Sequence, residues 1–209
     1  MKNRKILKKN FKDYGSAVVL AVFFAMIIRT FFIEAFRIPN EVMTPTLQSG
    51  DLIFVSKWNY KDQLPKLGDV VVFKGTAHGD LHFVKRVLGL PGDTISIQKG
   101  RIIRNKKTLP FTAGEQATCG KENLEKLKYR ICLEPPLFEM EEITIKKNHV
   151  FLVGDYRKFD VSQKDWAVVP HNLIVAKARW IWLSIDPDRS ESTGLLPSFR
   201  LSRIFTPIL

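Results

Sequence analysis

Cysteine is scarce: the 209 residues contain two, Cys119 and Cys132. No third or fourth ligand stands near them at metal spacing, and His149 and His171 are isolated, so a zinc site is excluded. Two readings of the pair stay open. In an oxidising compartment a disulfide would close a loop of about 14 residues, worth about 3 kcal/mol in the chain-entropy model; otherwise both are buried thiols. Acidic residues are missing from the start of the chain, where Lys2, Arg4, Lys5, Lys8, Lys9 and Lys12 precede the first acid, Asp13. There is no internal repeat and no low-complexity tract. A basic stretch with interleaved aromatics is absent too, which leaves nucleic-acid binding resting on net charge alone.

That net charge is +12, from 33 bases and 21 acids, and half of it lies in the first twelve residues. A basic run followed at once by apolar residues points to a membrane surface. Gly15 to Ile28 is fourteen residues without a charge, short of the roughly 20 needed to span a bilayer. Apolar character resumes after Arg29, whose stem can lie along hydrocarbon while its head reaches polar groups. Residues 14–36 then suffice for one transmembrane helix, with residues 1–13 cytoplasmic by the positive-inside rule and residues 37–209 on the periplasmic or extracytoplasmic side. A cleavable signal peptide begins in the same way, but no small-x-small cleavage site follows here.

Beyond the anchor, short β-branched and alternating runs dominate: Leu52 to Trp58, Val70 to Phe73, His82 to Leu90, Thr94 to Ile97, Arg101 to Arg104, Ile143 to Lys146, His149 to Gly154 and Ile174 to Ile185. Separated by Gly, Pro and Asn, they predict an all-β domain with antiparallel sheets. Gln98-Lys99-Gly100 reads as a hairpin turn with glycine supplying a positive φ. Residues 114–129 are compatible with a helix or a solvated loop. Trp58, Trp180 and Trp182 suit either the core or a membrane interface, and the C-terminal residues 197–209 either touch the membrane surface or fray.

Four blocks carry the chemistry. They are FRIPNEVMTPTLQSGD (Phe36 to Asp51), LGDVVVFK (Leu67 to Lys74), HFVKRVLGLPGDTISI (His82 to Ile97) and FLVGDYRKFDVSQKDWAVVP (Phe151 to Pro170). In this order they resemble the bacterial type I signal peptidases, membrane-anchored endopeptidases with a Ser/Lys dyad, and cover most of residues 17–185. The resemblance implies coiled antiparallel β-sheets with a smaller β subdomain inserted at about residues 95–148. It also implies signal peptides of exported precursors as partners, contact with membrane lipid, and no cofactor.

Carried over residue by residue, the resemblance puts Lys85 at the general-base position and Val42 where the nucleophilic serine stands. A valine cannot attack a carbonyl. Asn40 occupies a place where the family often has a hydroxyl; its amide can donate to an oxyanion, or it is simply a turn residue after Pro39. The position that orients the lysine becomes Asp160, and a carboxylate facing Lys85 would favour the ammonium and oppose a general-base role. Phe36, Ile38, Met43, Phe83 and Val84 would line shallow pockets for small side chains. Thr44, Thr46 and Ser49 are the nearby hydroxyls, and even Thr44 starts some 6 to 7 Å along the chain from Val42. Two functions follow: a cleavage-deficient homologue that binds precursors or modulates an active paralogue, or an active peptidase using a displaced hydroxyl such as Thr44.

Overall fold

The computed structural model describes residues 14–24, 26, 33–57, 60, 63–75, 81–115, 118–159, 166–189 and 198–209. Trp58, Asp160 and part of the expected 14–36 span lie outside them, and the end of that span, Ile33 to Phe36, is not helix but part of a β-strand, Ile33–Arg37. The chain divides into two units, Met1–Glu34 and Ala35–Leu209. In the first, residues 14–24 are helical, and Val18, Val19, Leu20, Val22, Phe23 and Phe24 stand exposed. Among the described residues no helix is long and apolar enough to cross a membrane.

The second unit is built on a nine-stranded sheet. Its main path runs β1 (Ile33–Arg37), β2 (Asp51–Ser56), β15 (Ile174–Asp186), β3 (Val70–Lys74), β4 (His82–Gly89), β12 (His149–Val153) and β14 (Trp166–Pro170). Strict alternation along β2 buries Asp51, Ile53 and Val55 on one side, the period of two that the sequence displays. The thirteen-residue β15 pairs with β3 at its start and with β2 further on, with irregularities between Ala178 and Trp180 and between Ile181 and Leu183. Such irregularities bend a strand, and β15 thereby serves both neighbours.

The chain between β4 and β12, joined by one short strand that follows β12, forms two smaller sheets. One has the order β11-β5-β6-β7, with β5 (Thr94–Gln98), β6 (Arg101–Arg104), β7 (Lys107–Thr108) and β11 (Met140–Thr144). Lys99 and Gly100, at φ 48° and 71°, make the two-residue turn between β5 and β6. The other has the order β13-β10-β9-β8, with β8 (Phe111–Ala113), β9 (Cys119–Leu124), β10 (Leu127–Leu133) and β13 (Tyr156–Arg157).

The stretch open to a helix or loop reading is thus largely a hairpin. Its signal is masked because Glu122, which reads as a surface acid, is fully buried; counting it as an inward residue restores the period of two. A disulfide joins Cys119 to Cys132, which face each other across β9 and β10.

The C-terminal residues do not fray. Two short strands, β16 (Ser198–Phe199) and β17 (Thr206–Pro207), pair with β15. Between them Arg200 donates to Ser184 Oγ at 2.9 Å and Gln48 Oε1 at 2.9 Å, while Arg203 donates to Asp51 Oδ2 at 2.6 Å and the Thr46 carbonyl at 3.0 Å. Trp182 stacks on Phe54 with ring centroids 5.4 Å apart, whereas Trp180 is half exposed.

Candidate active site

The loop from Ile38 to Gly50 is held at both ends. Ile38 N–H donates to the Asp51 carbonyl at 2.8 Å and Gly50 N–H to the Ile38 carbonyl at 2.9 Å. Within it, Thr44 N–H bonds the Glu41 carbonyl at 2.8 Å and Leu47 N–H the Met43 carbonyl at 2.9 Å. Met43 and Leu47 anchor this turn in a core cluster with Ile38, Ile53 and Val70. Asn40 and Glu41 are exposed, so the loop presents its tip to solvent.

Val42 sits against the segment after β12. Its carbonyl accepts the Tyr156 N–H at 3.0 Å. Gly154 passes so near that a Cβ there would lie 2.5 Å from the Val42 oxygen and 2.9 Å from its Cγ1. Lys85 is on β4, 5% exposed and opposite Val71 on β3. On its other side β4 pairs with β12, Arg86 lying opposite Val153. The ladder ends there: Lys85 is the next residue along β4, and Gly154, which is in contact with Val42, is the next after β12.

The nearby hydroxyls are unequal. Thr46 Oγ1 donates to Asp155 Oδ2 at 2.5 Å and accepts from Arg86 Nη2 at 3.3 Å, so its proton is committed to a carboxylate. Thr44 donates to the Leu47 carbonyl at 3.3 Å, long for a hydroxyl bond, and Ser49 donates to the Pro39 carbonyl at 3.3 Å.

Behind the loop lies a buried charge network. Asp155 receives Arg86 Nε at 2.8 Å and Nη2 at 2.7 Å, with both side chains fully buried. The Arg86 guanidinium lies 4.1 Å from the Tyr129 ring centroid, and the Tyr129 hydroxyl donates to Glu122 at 2.5 Å. Glu122 in turn receives Arg157 Nη1 at 2.8 Å and Nη2 at 2.6 Å. Burial works to lower the pKa of both arginines, but Asp155 and Glu122 outweigh it and hold both above their usual value. At the edge, Tyr156 donates to Glu134, which also receives Lys158 Nζ at 2.6 Å. The Glu134 bond pushes the Tyr156 phenol up to about 12, so near neutral pH it is a donor and not a base.

Of the expected pocket residues, four gather around one cluster: Ile38 and Met43 are buried in it, and Phe36 and Val84 pack on it half-buried. Phe83 does not join them. It packs on a different cluster with Val71 and Val87 and lies 5.7 Å from the Phe73 ring, because neighbours on a strand point to opposite faces. The network of Arg86, Tyr129, Glu122 and Arg157 escaped sequence reasoning. Its only signals were Arg86 beside Lys85, and Asp155 and Arg157 within the fourth block. Glu122 carried none.

The sheet curls so that Phe36 of β1 and His82 of β4 meet, with ring centroids 5.4 Å apart, although the strands are four places apart in the sheet order. β1 ends that order. β12 pairs with β4 only at Arg86–Gly89. Among the described residues, no strand is paired to the side of His82–Val84 facing away from β3. Two strand edges therefore flank an apolar floor, a shape that receives an extended peptide by adding a strand.

Residues 11–183 match the family model described as "Signal peptidase, peptidase S26", and the chain belongs to that family. Within it, the relatives are signal peptidases I. That of Pseudomonas aeruginosa is 32% identical, with 90% of this chain and 76% of the relative covered. That of Leptolyngbya laminosa is 31% identical over 82% of this chain and 77% of the relative, and signal peptidase I T of Bacillus subtilis is 27% identical over 90% and 93%. A solved signal peptidase I from Enterococcus faecalis V583 aligns at 17% identity with a TM-score of 0.35, over 55% of this chain and 97% of that one.

Proposed function

We propose that this chain binds signal peptides of exported precursors in the groove between β1 and β4 and does not cleave them. The observation that carries this reading is Val42, whose side chain packs on Gly154 while its carbonyl bonds Tyr156, at the place where the family's serine stands. The groove keeps an apolar floor of Ile38 and Met43 flanked by Phe36 and Val84. Lys85 occupies the general-base position, Asn40 the oxyanion-donor position and Asp160 the lysine-orienting position. An anchor over the apolar residues from about 14, ending before Ile33–Arg37 enters the sheet as β1, holds the protein in the cytoplasmic membrane, with the basic N-terminus inside and the β domain outside. The exposed apolar helix 14–24 supports this placement. An active paralogue is a natural partner, and nucleic acid is not one.

One observation favours a second reading, an active peptidase attacking through Thr44: its long bond to Leu47 leaves that hydroxyl the less committed of the two threonines. The test is full-length protein with a precursor bearing an Ala-x-Ala site, followed by binding and by mass spectrometry. Binding without a product is expected. A product that disappears on Thr44→Val would install the second reading, and a failure to bind would end the first. Protease added to intact spheroplasts should digest the domain after residue 37; protection of that domain would overturn the topology.

A further inference from the structure

A peptide lying along the free edge of β4 cannot continue beyond about Lys85, because β12 occupies that edge from Arg86 onward. It must leave the sheet there, next to Gly154–Tyr156, which follow β12 and touch Val42. Tyr156 belongs to β13, the first strand of the sheet β13-β10-β9-β8. The outward face of this sheet can be followed from register. Tyr156 is beside Cys132, Cys132 faces Cys119, Arg130 faces Lys121, and Lys128 faces Asn123. Lys121, Lys128 and Arg130 are exposed, while Glu122, Tyr129 and Ile131 between them are buried.

Arg130 directly opposite Lys121 is an arrangement that costs stability, since like charges on facing strand positions repel. The acids nearby do not balance it. Glu134 is engaged by Tyr156 and Lys158, and Glu125, in the turn, by Arg104. Lys121 and Arg130 line a shallow concavity of about 360 Å³ whose single acid is Glu115. The result is a basic track beginning beside Val42 and crossing the disulfide.

We infer that this outward face, from Tyr156 to Lys128, docks the acidic segment that follows the small-x-small motif in an exported precursor. The inference rests on the reading that the groove holds the motif itself. Moving from β13 to β10 covers about 5 Å and each pair of residues along β10 about 7 Å. At about 3.3 Å per residue, acids roughly four and six residues beyond the motif would reach Arg130 with Lys121, and then Lys128. Opposite charge favours an acidic ligand, and continuity with the groove favours a peptide here over a flat lipid surface.

The test uses full-length protein in detergent and two fluorescent peptides carrying an Ala-x-Ala motif. One has Glu at the fourth and sixth following positions, the other Gln. The Glu peptide should bind about threefold to tenfold more tightly at low salt, as expected for two exposed ion pairs, and the advantage should vanish at high salt. The double variant Lys121→Glu with Arg130→Glu should bring the Glu peptide to or below the Gln peptide and leave Gln-peptide binding unchanged. Equal binding of the two peptides to unmodified protein would overturn the inference while leaving the groove reading intact. Equal binding together with a loss of phosphatidylglycerol-vesicle binding in the double variant would assign the track to lipid instead. Binding of neither peptide would sink the groove reading and this inference with it.

Discussion

Breaking the pair between Glu122 and Arg157 should destabilise the domain far more than losing an average surface contact. Both side chains are fully buried, and the two parallel bonds at 2.8 Å and 2.6 Å are supplemented by Arg157 Nη1 to the Gly100 carbonyl at 3.1 Å and by Tyr129 to Glu122. Arg157→Met leaves a carboxylate facing only Tyr129, and Glu122→Leu leaves a guanidinium whose Nε is already without a partner. An uncompensated buried charge costs about 3–5 kcal/mol. At this chain length that corresponds to a melting temperature lower by about 10 °C. The double variant Glu122→Leu with Arg157→Met removes both charges and should recover at least half of that loss, since two apolar side chains can fill the site without an ion. Urea unfolding of the four proteins, disulfide intact, gives the coupling energy, expected to exceed about 2 kcal/mol. Single variants that each cost under about 1 kcal/mol, or a double variant that simply sums them, would refute the claim that a buried ion pair ties the hairpin to the segment behind Val42.

Val42→Ser alone should not produce cleavage, because the carboxylate expected opposite Lys85 favours a charged lysine. Val42→Ser with Asp160→Ser should gain precursor cleavage by mass spectrometry, and adding Lys85→Ala should abolish it; cleavage surviving that third change would show the site is misplaced. Gly154→Ala should cost about 1–3 kcal/mol in urea unfolding, because the new methyl would meet the Val42 backbone oxygen at 2.5 Å; an unchanged midpoint would argue against that close approach. Burial works to raise the Asp93 carboxyl, but hydrogen bonds from Arg104, the Leu90 N–H and Asn105 outweigh it and hold it below its usual range. A lowered folded pKa contributes stability above the unfolded value near 4 and loses it as pH falls through the folded one. Asp93→Asn should therefore be less stable at pH 7 and show a shallower acid decline below about pH 4; parallel acid limbs for the two proteins would count against this.

The strands were legible in the chain because alternation is a local code: Val70 to Phe73, Thr94 to Ile97 and Ile174 to Ile185 display their apolar residues whatever surrounds them. That residue 42 is a valine within the motif from Pro39 to Leu47 was legible too, since a motif read along the chain needs no third dimension. Glu122 and Arg157 were not, because a charged residue reads as surface until a partner 35 positions away is brought to 2.6 Å. The same holds for Arg200 and Arg203, which reach back about 150 positions to brace Gln48 and Asp51, where sequence alone allowed a loose tail. Thr46 and Thr44 look alike in sequence; only the fold commits one to Asp155. It is likewise the fold that turns Phe83 away from Phe36 and Val84, and that curls the sheet until β1 and β4 face each other. Local residue pattern determines which segments extend, whereas pairing across long separations, where buried charge must find its opposite, is decided only when the whole sheet closes.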